Sequence, residues 1–61
     1  MFGCWQIVTS DENKREFTGF LNIKNMNGTK YAEIRDVKED NKAGNVLFIG
    51  HMGYVISIEA I

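Results

Sequence analysis

The C-terminal segment, residues 53–61, limits the possible folds of this chain more than any other stretch. Its alternate positions are Tyr54, Ile56, Ile58 and Ala60, whereas the positions between them include Ser57 and Glu59. Successive side chains of a β-strand point to opposite faces, so this pattern predicts a strand with one buried and one solvated face. A helix would scatter the isoleucines around its circumference, and β-branched residues favour strands. We predict that the other segments close against this strand.

The short length of the chain, 61 residues, predicts a single domain covering residues 1–61. Domains of about 60 residues bury only about 60% of their unfolded surface and usually need an additional source of stability. Cys4 is the only cysteine and His51 the only histidine, so neither an intrachain disulfide nor a tetrahedral zinc site is expected. We therefore predict no metal and no cofactor, and we expect self-association or a bound partner to supply the missing stability.

The charge balance gives no sign of a strongly electrostatic partner. Seven basic and eight acidic residues leave a net charge of −1, so no overall basic field attracts nucleic acid or anionic lipid. The longest uninterrupted apolar run, Val46–Ile49, is too short to span a membrane, and no secretory signal precedes Trp5. Together with a single unpaired cysteine, these features predict a cytoplasmic protein with no membrane partner.

The N-terminal residues 2–10 alternate well enough to predict a first strand in which Trp5 and Ile7 point inward. Residues 11–15 are polar and short enough for a hairpin loop. Residues 11–16 could instead begin a short helix, because Ser10 is a competent N-cap. Both alternatives place a connection between the first strand and the next apolar segment.

A long second strand is predicted over residues 16–26. One parity carries its apolar face and consists of Phe17, Gly19, Leu21 and Ile23. Glycine in the middle of a strand predicts a sharp bend or a close approach of another backbone, which allows one strand to serve both halves of a small barrel. On this register Phe20 points away from the apolar face.

Three further strands complete the predicted fold. Asn27-Gly28 predicts a type I′ turn, which requires positive φ at both central residues. The charged residues of Thr29–Val37 indicate an exposed strand, and a polar loop follows over residues 38–45. The run Val46–Ile49 is apolar on both faces, which predicts a short strand covered on both sides. A tight connection at residues 50–53 leads to the last strand. The sequence therefore predicts an all-β fold, a small five-stranded antiparallel barrel.

Several segments resemble the Sm-like family and related SH3-like barrels. Arg15–Leu21 resembles the second strand of these barrels, where a glycine marks the bend. Met26-Asn27 resembles the Met-Asn pair of the first Sm motif, and Ile49-Gly50 with residues 54–58 resembles the second motif and its closing strand. The chain departs from the family in having Lys24-Asn25 near the characteristic aspartate of the first motif and Ile49 in place of the arginine of the second.

The resemblance implies an oligomeric ring that binds single-stranded RNA. The residues facing the bound strand would then be Lys24, Asn25, Asn27 and His51. This is the alternative to the function that the residues themselves favour, a non-catalytic binding module that self-associates and acts by stoichiometric binding of a protein partner. A compact inhibitor or accessory factor fits that description, and a phage source is compatible with the absence of proline and the frequent Asn, Lys and Ile.

Aromatic residues and methionine are enriched at the centres of protein interfaces. The predicted contact residues are accordingly Phe20, Tyr31, Met52 and Tyr54, with Phe2 and Trp5 able to extend the same surface. Phe20 near Lys24 is also the best candidate for base stacking.

No combination of nucleophile, base and orienting group indicates an enzyme. His51 lies between glycines in a turn, where a solvent-exposed role is favoured over a catalytic one. Cys4 is expected to pack in the interior, because free cysteines are among the most buried residue types.

Overall fold

The computed structural model describes the backbone of residues 1–61 and every side chain except that of Asn41. The chain forms five strands and one short 3₁₀ turn. The strands are β1 (Phe2–Thr9), β2 (Lys14–Met26), β3 (Thr29–Val37), β4 (Ala43–His51) and β5 (Val55–Ala60), and the 3₁₀ turn spans Glu39–Asn41. Every strand pairing is antiparallel, so the prediction of an all-β fold with five antiparallel strands is confirmed.

The strands form one sheet in the order β4-β3-β2-β1-β5. Among the described residues, hydrogen bonds do not join β4 to β5, so these strands form the two edges of the sheet. The sheet is nevertheless curved. The rings of Phe17 in β2 and Phe48 in β4 lie with their centroids 5.5 Å apart, although strands two positions apart are separated by about 9–10 Å in a flat sheet.

β2 changes its pairing partner near the middle of the strand. Its first half pairs with β1 up to Phe2–Phe20, and its second half pairs with β3 from Phe20–Arg35 onward. Gly19 lies at the change of partner, where a Cβ atom would overlap the backbone of Arg35. The close backbone approach predicted for this glycine is therefore confirmed.

The concave face of the sheet carries the hydrophobic core. Its buried members are Trp5, Ile7, Ala32, Ile34 and Phe48, and the partly buried residues packed against them are Phe17, Leu21, Met52, Val55 and Ile58. Trp5 and Ile7 point inward as predicted. The indole nitrogen of Trp5 donates a hydrogen bond to the carbonyl of Gly19 at 3.2 Å, which ties β1 to the middle of β2.

Local turn chemistry sets both hairpins at the N-terminal end of the chain. Asn27 and Gly28 have φ angles of 54° and 83°, as a type I′ turn requires, and the side-chain oxygen of Asn25 accepts a hydrogen bond from the Gly28 amide at 3.1 Å. The connection between β1 and β2 is a turn and not a helix, because Glu12 adopts φ of 67° and β2 already begins at Lys14. The helical alternative for residues 11–16 is therefore wrong.

The last strand differs from the prediction in both its position and its register. β5 pairs only with β1 and lies at an edge, so it is not the strand against which the rest of the sheet closes. A β-bulge opposite Val8 and Thr9 shifts its register. As a result Ile56 is 64% exposed, whereas Val55, from the row predicted to face water, packs against the core.

The predicted environments of β3 and β4 are reversed in the structure. β3 lies inside the sheet between β2 and β4, and residues 32–34 are buried, so the prediction of an exposed strand is wrong. β4 lies at the other edge and is longer than predicted. Its residues Val46, Leu47 and Ile49 are exposed, so the prediction that both faces of this run are covered is also wrong.

Candidate binding surfaces

The convex face of the sheet contains a pocket of about 380 Å³ beside the second half of β2. Side chains from β2 and β3 form its floor, and the N-terminal residue and the start of β4 close its sides. The lining residues are Met1, Phe20, Leu21, Asn22, Lys24, Glu33, Arg35 and Ala43. The pocket therefore combines apolar surface with two basic side chains and one acidic side chain.

Glu33 is the central charged group of this pocket. Only 4% of the residue is exposed. Its carboxylate accepts hydrogen bonds from the Arg35 Nε at 2.9 Å and Nη2 at 3.3 Å, and it lies 3.1 Å from the Lys24 Nζ. Arg35 also donates to the carbonyl of Gly44 at 3.0 Å, so its guanidinium is held from two sides.

These contacts change the protonation equilibria in the expected directions. Hydrogen bonding from Arg35, and to a lesser extent from Lys24, lowers the pKa of Glu33 in spite of the desolvation that opposes it. Hydrogen bonding to Glu33 in turn raises the pKa of Arg35. The carboxylate of Glu33 is therefore ionised at neutral pH, and it neutralises one of the two positive charges in the pocket.

An aromatic pair borders the pocket. The rings of Phe2 in β1 and Phe20 in β2 meet edge to face with centroids 5.4 Å apart. Phe20 points to the convex face as predicted and is half-buried, whereas Phe2 is 53% exposed. Trp5 is buried in the core on the opposite face, so the prediction that it extends this surface is wrong.

A second row of side chains crosses three strands on the same convex face. Lys24 in β2 pairs with Tyr31 in β3, and Tyr31 pairs with His51 at the end of β4. The Tyr31 and His51 rings meet edge to face at 5.9 Å. The Nδ1 of His51 accepts a hydrogen bond from the Gly53 amide at 2.9 Å, which fixes the orientation of the imidazole.

The remaining predicted contact residues lie in the connection between β4 and β5. Met52 packs against the core. Tyr54 is 40% exposed, and its hydroxyl approaches Asp11 in the first turn. Of the four predicted contact residues, Phe20 therefore lies in the pocket and Tyr31 lies against His51. Met52 and Tyr54 lie outside both groups, at the core and near the first turn.

Asp11 organises the loop that Tyr54 approaches. Its carboxylate accepts hydrogen bonds from the Thr9 hydroxyl and from the Asn13 side chain. The Thr9 interaction is the main cause that lowers the pKa of Asp11 from 3.8 to about 2, and Tyr54 and Asn13 lower it further. This network fixes the β1–β2 turn.

Two of the predicted RNA-contact residues have local structural roles. The side chain of Asn25 is bonded to the turn through the Gly28 amide, and Asn27 supplies positive φ. Lys24 and His51 lie on either side of Tyr31 in the row that crosses β2, β3 and β4. All four therefore lie at one end of the sheet.

The sequence prediction missed Glu33 and Arg35 as partners in a pocket. The only sequence signal for these two residues was their alternation with apolar residues along β3. That pattern predicts solvent exposure when the neighbouring strands are unknown. Cys4, which was expected in the interior, is exposed instead, with its sulfur 3.3 Å from the Thr18 hydroxyl.

Within the described residues, no three His, Cys, Asp or Glu side chains are close enough to hold a metal ion. The same part of the chain contains no helix of the length and apolarity needed to cross a membrane. The structure thus defines a small all-β protein with a mixed-polarity pocket and two free sheet edges. Neither protein-family models, nor curated proteins, nor solved structures match this chain.

Proposed function

We propose that this protein is a non-catalytic binding module that self-associates and binds a protein partner through the free edges of its sheet. The observation that carries the proposal is that both edge strands lack a partner on their outer side and carry exposed apolar side chains. An edge strand offers a row of free N–H and C=O groups to another strand, and many protein complexes form by addition of such a strand.

Of the two edges, β4 is the better suited to pairing with another strand. Val46, Leu47 and Ile49 are 44%, 43% and 50% exposed. Natural sheets usually protect an edge with lysine, proline or inward-pointing charge, but residues 43–50 contain neither a charged residue nor proline. An edge without these protections is suited to pairing with another strand.

β5 offers a shorter edge of similar character. Ile56 is 64% exposed at the bulge, and Glu59 is the only charged residue of the strand. Pairing of β4 in one copy with β5 in the next would give a closed ring or an open filament. Pairing of like edges would give a two-fold dimer.

The area needed for such an interface is compatible with the size of the chain. A stable interface buries about 800 Å² on each partner, and the accessible surface of this chain is 4234 Å². One interface would therefore cover about a fifth of the surface. Burial on this scale would offset the limited core of a chain this short.

Sedimentation velocity over the micromolar range tests this proposal. The wild type is compared with Leu47→Lys in β4 and Ile56→Lys in β5, because a lysine at an edge disfavours strand addition. Met26→Lys, at the 47% exposed end of β2, is the matched control. We expect the wild type and the control to assemble. The dissociation constant of the assembly should be at least about tenfold higher for the edge variants.

A wild type that remains monomeric throughout that range contradicts self-association. Equal behaviour of edge variants and control would show that the edges are not the contact. The assembled mass distinguishes a dimer from a larger ring, and circular dichroism confirms that each variant retains its β signal.

A second candidate function, binding of single-stranded RNA, is supported by the row formed by Lys24, Tyr31 and His51. Aromatic and basic side chains in one row match the way that single strands are bound through stacking and phosphate contacts. The test is fluorescence anisotropy with an unstructured oligonucleotide. Binding that weakens steeply with salt and is lost in Tyr31→Ala supports this function, whereas no binding at low salt rejects it.

A further inference from the structure

We propose that the convex-face pocket is a binding site for a small ligand that has an oxyanion head, either carboxylate or phosphate, on a flat apolar body. This inference goes beyond the proposed function, because the pocket lies on the face of the sheet and does not depend on assembly through the edges. It rests on three observations: the hydrogen-bond donors that Lys24 and Arg35 keep free, the engagement of the Glu33 carboxylate by these two side chains, and the position of Phe20 in the pocket wall.

The two basic side chains retain hydrogen-bonding capacity. Arg35 uses three N–H groups on Glu33 and Gly44, and Lys24 uses one on Glu33. A guanidinium has five N–H donors and an ammonium has three. Among the contacts within the described residues, each side chain therefore keeps two donors for a ligand. Both side chains are 37% exposed, so a ligand can reach them.

Glu33 acts as a positioning residue for these donors. Both of its oxygens are engaged by Arg35, and the second also faces Lys24. The carboxylate has little exposed surface with which to repel an incoming anion. Because it neutralises only one of the two cations, the floor of the pocket keeps one net positive charge. Holding the donors in place before binding reduces the entropy lost on association.

The apolar part of the pocket selects the body of the ligand. Met1, Phe20 and Ala43 line the side next to the charged floor, and Phe2 supports the Phe20 ring from the neighbouring strand. Small-molecule sites combine apolar walls with a few converging polar groups in volumes of about 300–1,000 Å³. The pocket, at about 380 Å³, suits a ligand of about the size of a substituted ring.

Amide-detected NMR titration with four probes tests the proposal. Benzoate and phenyl phosphate carry both features, and acetate and inorganic phosphate carry the head alone. We expect saturable shifts confined to β2, β3 and the start of β4, with each aromatic probe binding more tightly than its head-only counterpart. The preference between benzoate and phenyl phosphate assigns the head group.

Three variants locate the binding energy. Lys24→Met leaves Glu33 paired with Arg35, and Phe20→Leu keeps an apolar wall without the ring. Lys30→Met, an exposed lysine of β3, removes the same charge outside the pocket lining. We expect Lys24→Met to weaken the aromatic probes about tenfold, which corresponds to one charge-assisted contact. Phe20→Leu should reduce the advantage of the aromatic probes over the head-only probes, and Lys30→Met should leave binding unchanged.

The proposal is overturned if none of the four probes gives saturable shifts, or if the aromatic probes bind no more tightly than the matching head-only probes. It is also overturned if Lys24→Met and Lys30→Met weaken probe binding equally. If Lys24→Met loses its dispersed spectrum, Phe20→Leu still decides the result through the aromatic probes. Loss of edge assembly in the lysine variants of β4 and β5 leaves these titrations unaffected, so the two proposals fail separately.

Discussion

Gly19 and the carbonyl group of Arg35 leave no space for a side chain between β2 and β3. A Cβ atom on Gly19 would overlap the Arg35 oxygen and lie 3.0 Å from the carbonyl carbon. The obstacle is backbone, so it cannot be relieved by a change of side-chain rotamer. The close approach of the β2 and β3 backbones at this point therefore requires glycine.

Replacing Gly19 with alanine is expected to lower the free energy of unfolding by at least about 1–3 kcal/mol, because overpacking forces the backbones apart. Gly3 is the matched control, since it lies opposite Gly19 on β1 and its added Cβ would meet only the Trp5 ring, at 3.3 Å. We expect a smaller loss for Gly3→Ala. Urea denaturation measures both, and equal losses would contradict the role of the close approach.

Replacing Glu33 with alanine should destabilise the fold by about 1–2 kcal/mol. Charge-assisted hydrogen bonds contribute about 1.5–3 kcal/mol, and the value is reduced here because Lys24 and Arg35 are 37% exposed and recover water when the carboxylate is removed. Glu59→Ala, an exposed carboxylate of β5, is the control and should change stability by less than about 0.5 kcal/mol. An effect of Glu33→Ala as small as that of the control would show that the pairs contribute nothing.

Acid should destabilise the protein partly through Asp11. Its pKa is lowered from 3.8 to about 2 in the folded state, so the folded chain holds fewer protons than the unfolded chain between these values. The stabilisation is fully present above pH 4 and is lost as the pH falls towards 2. In Asp11→Asn the dependence of stability on pH between 4 and 2 should be shallower than in the wild type. Denaturant unfolding at several pH values measures both slopes.

The single tryptophan offers a direct test of the hydrogen bond that ties β1 to the middle of β2. Trp5→Phe removes the hydrogen bond to the Gly19 carbonyl and leaves that buried acceptor without its donor. We expect a loss of about 1–3 kcal/mol. In the wild type the emission of Trp5 should be blue-shifted in the folded state and should shift to the red on unfolding, since only 7% of the residue is exposed. A Trp5→Phe variant as stable as the wild type would show that the hydrogen bond is dispensable.

Features with a local chemical cause could be predicted from the sequence. Positive φ at Asn27 and Gly28 follows from their residue types, and the inward direction of Trp5 and Ile7 follows from alternation along one strand. The same applies to Gly19, because glycine inside an otherwise regular strand has few explanations other than a bend or a close contact. None of these predictions requires knowledge of which strands are neighbours.

The position of each strand in the sheet could not be predicted in this way. An apolar run such as Val46–Ile49 has the same sequence pattern whether its second face is covered by its own chain or left open. Glu33 is a charged residue in a strand, which predicts exposure, and its burial depends on Lys24 from β2 and Arg35 from β3 meeting it in register. The pocket therefore arises from strand pairing that no single segment encodes.

The pairing of β1 with β5 has a consequence for the order of folding. It joins Trp5 to Ala60, whereas the β2–β3 and β3–β4 hairpins join residues that are near in sequence. Closing the longer loop costs more entropy, so we expect the hairpins to form first and β5 to dock last. During that interval β1 offers an open edge, and the β5 segment of another copy can occupy it in a domain-swapped dimer.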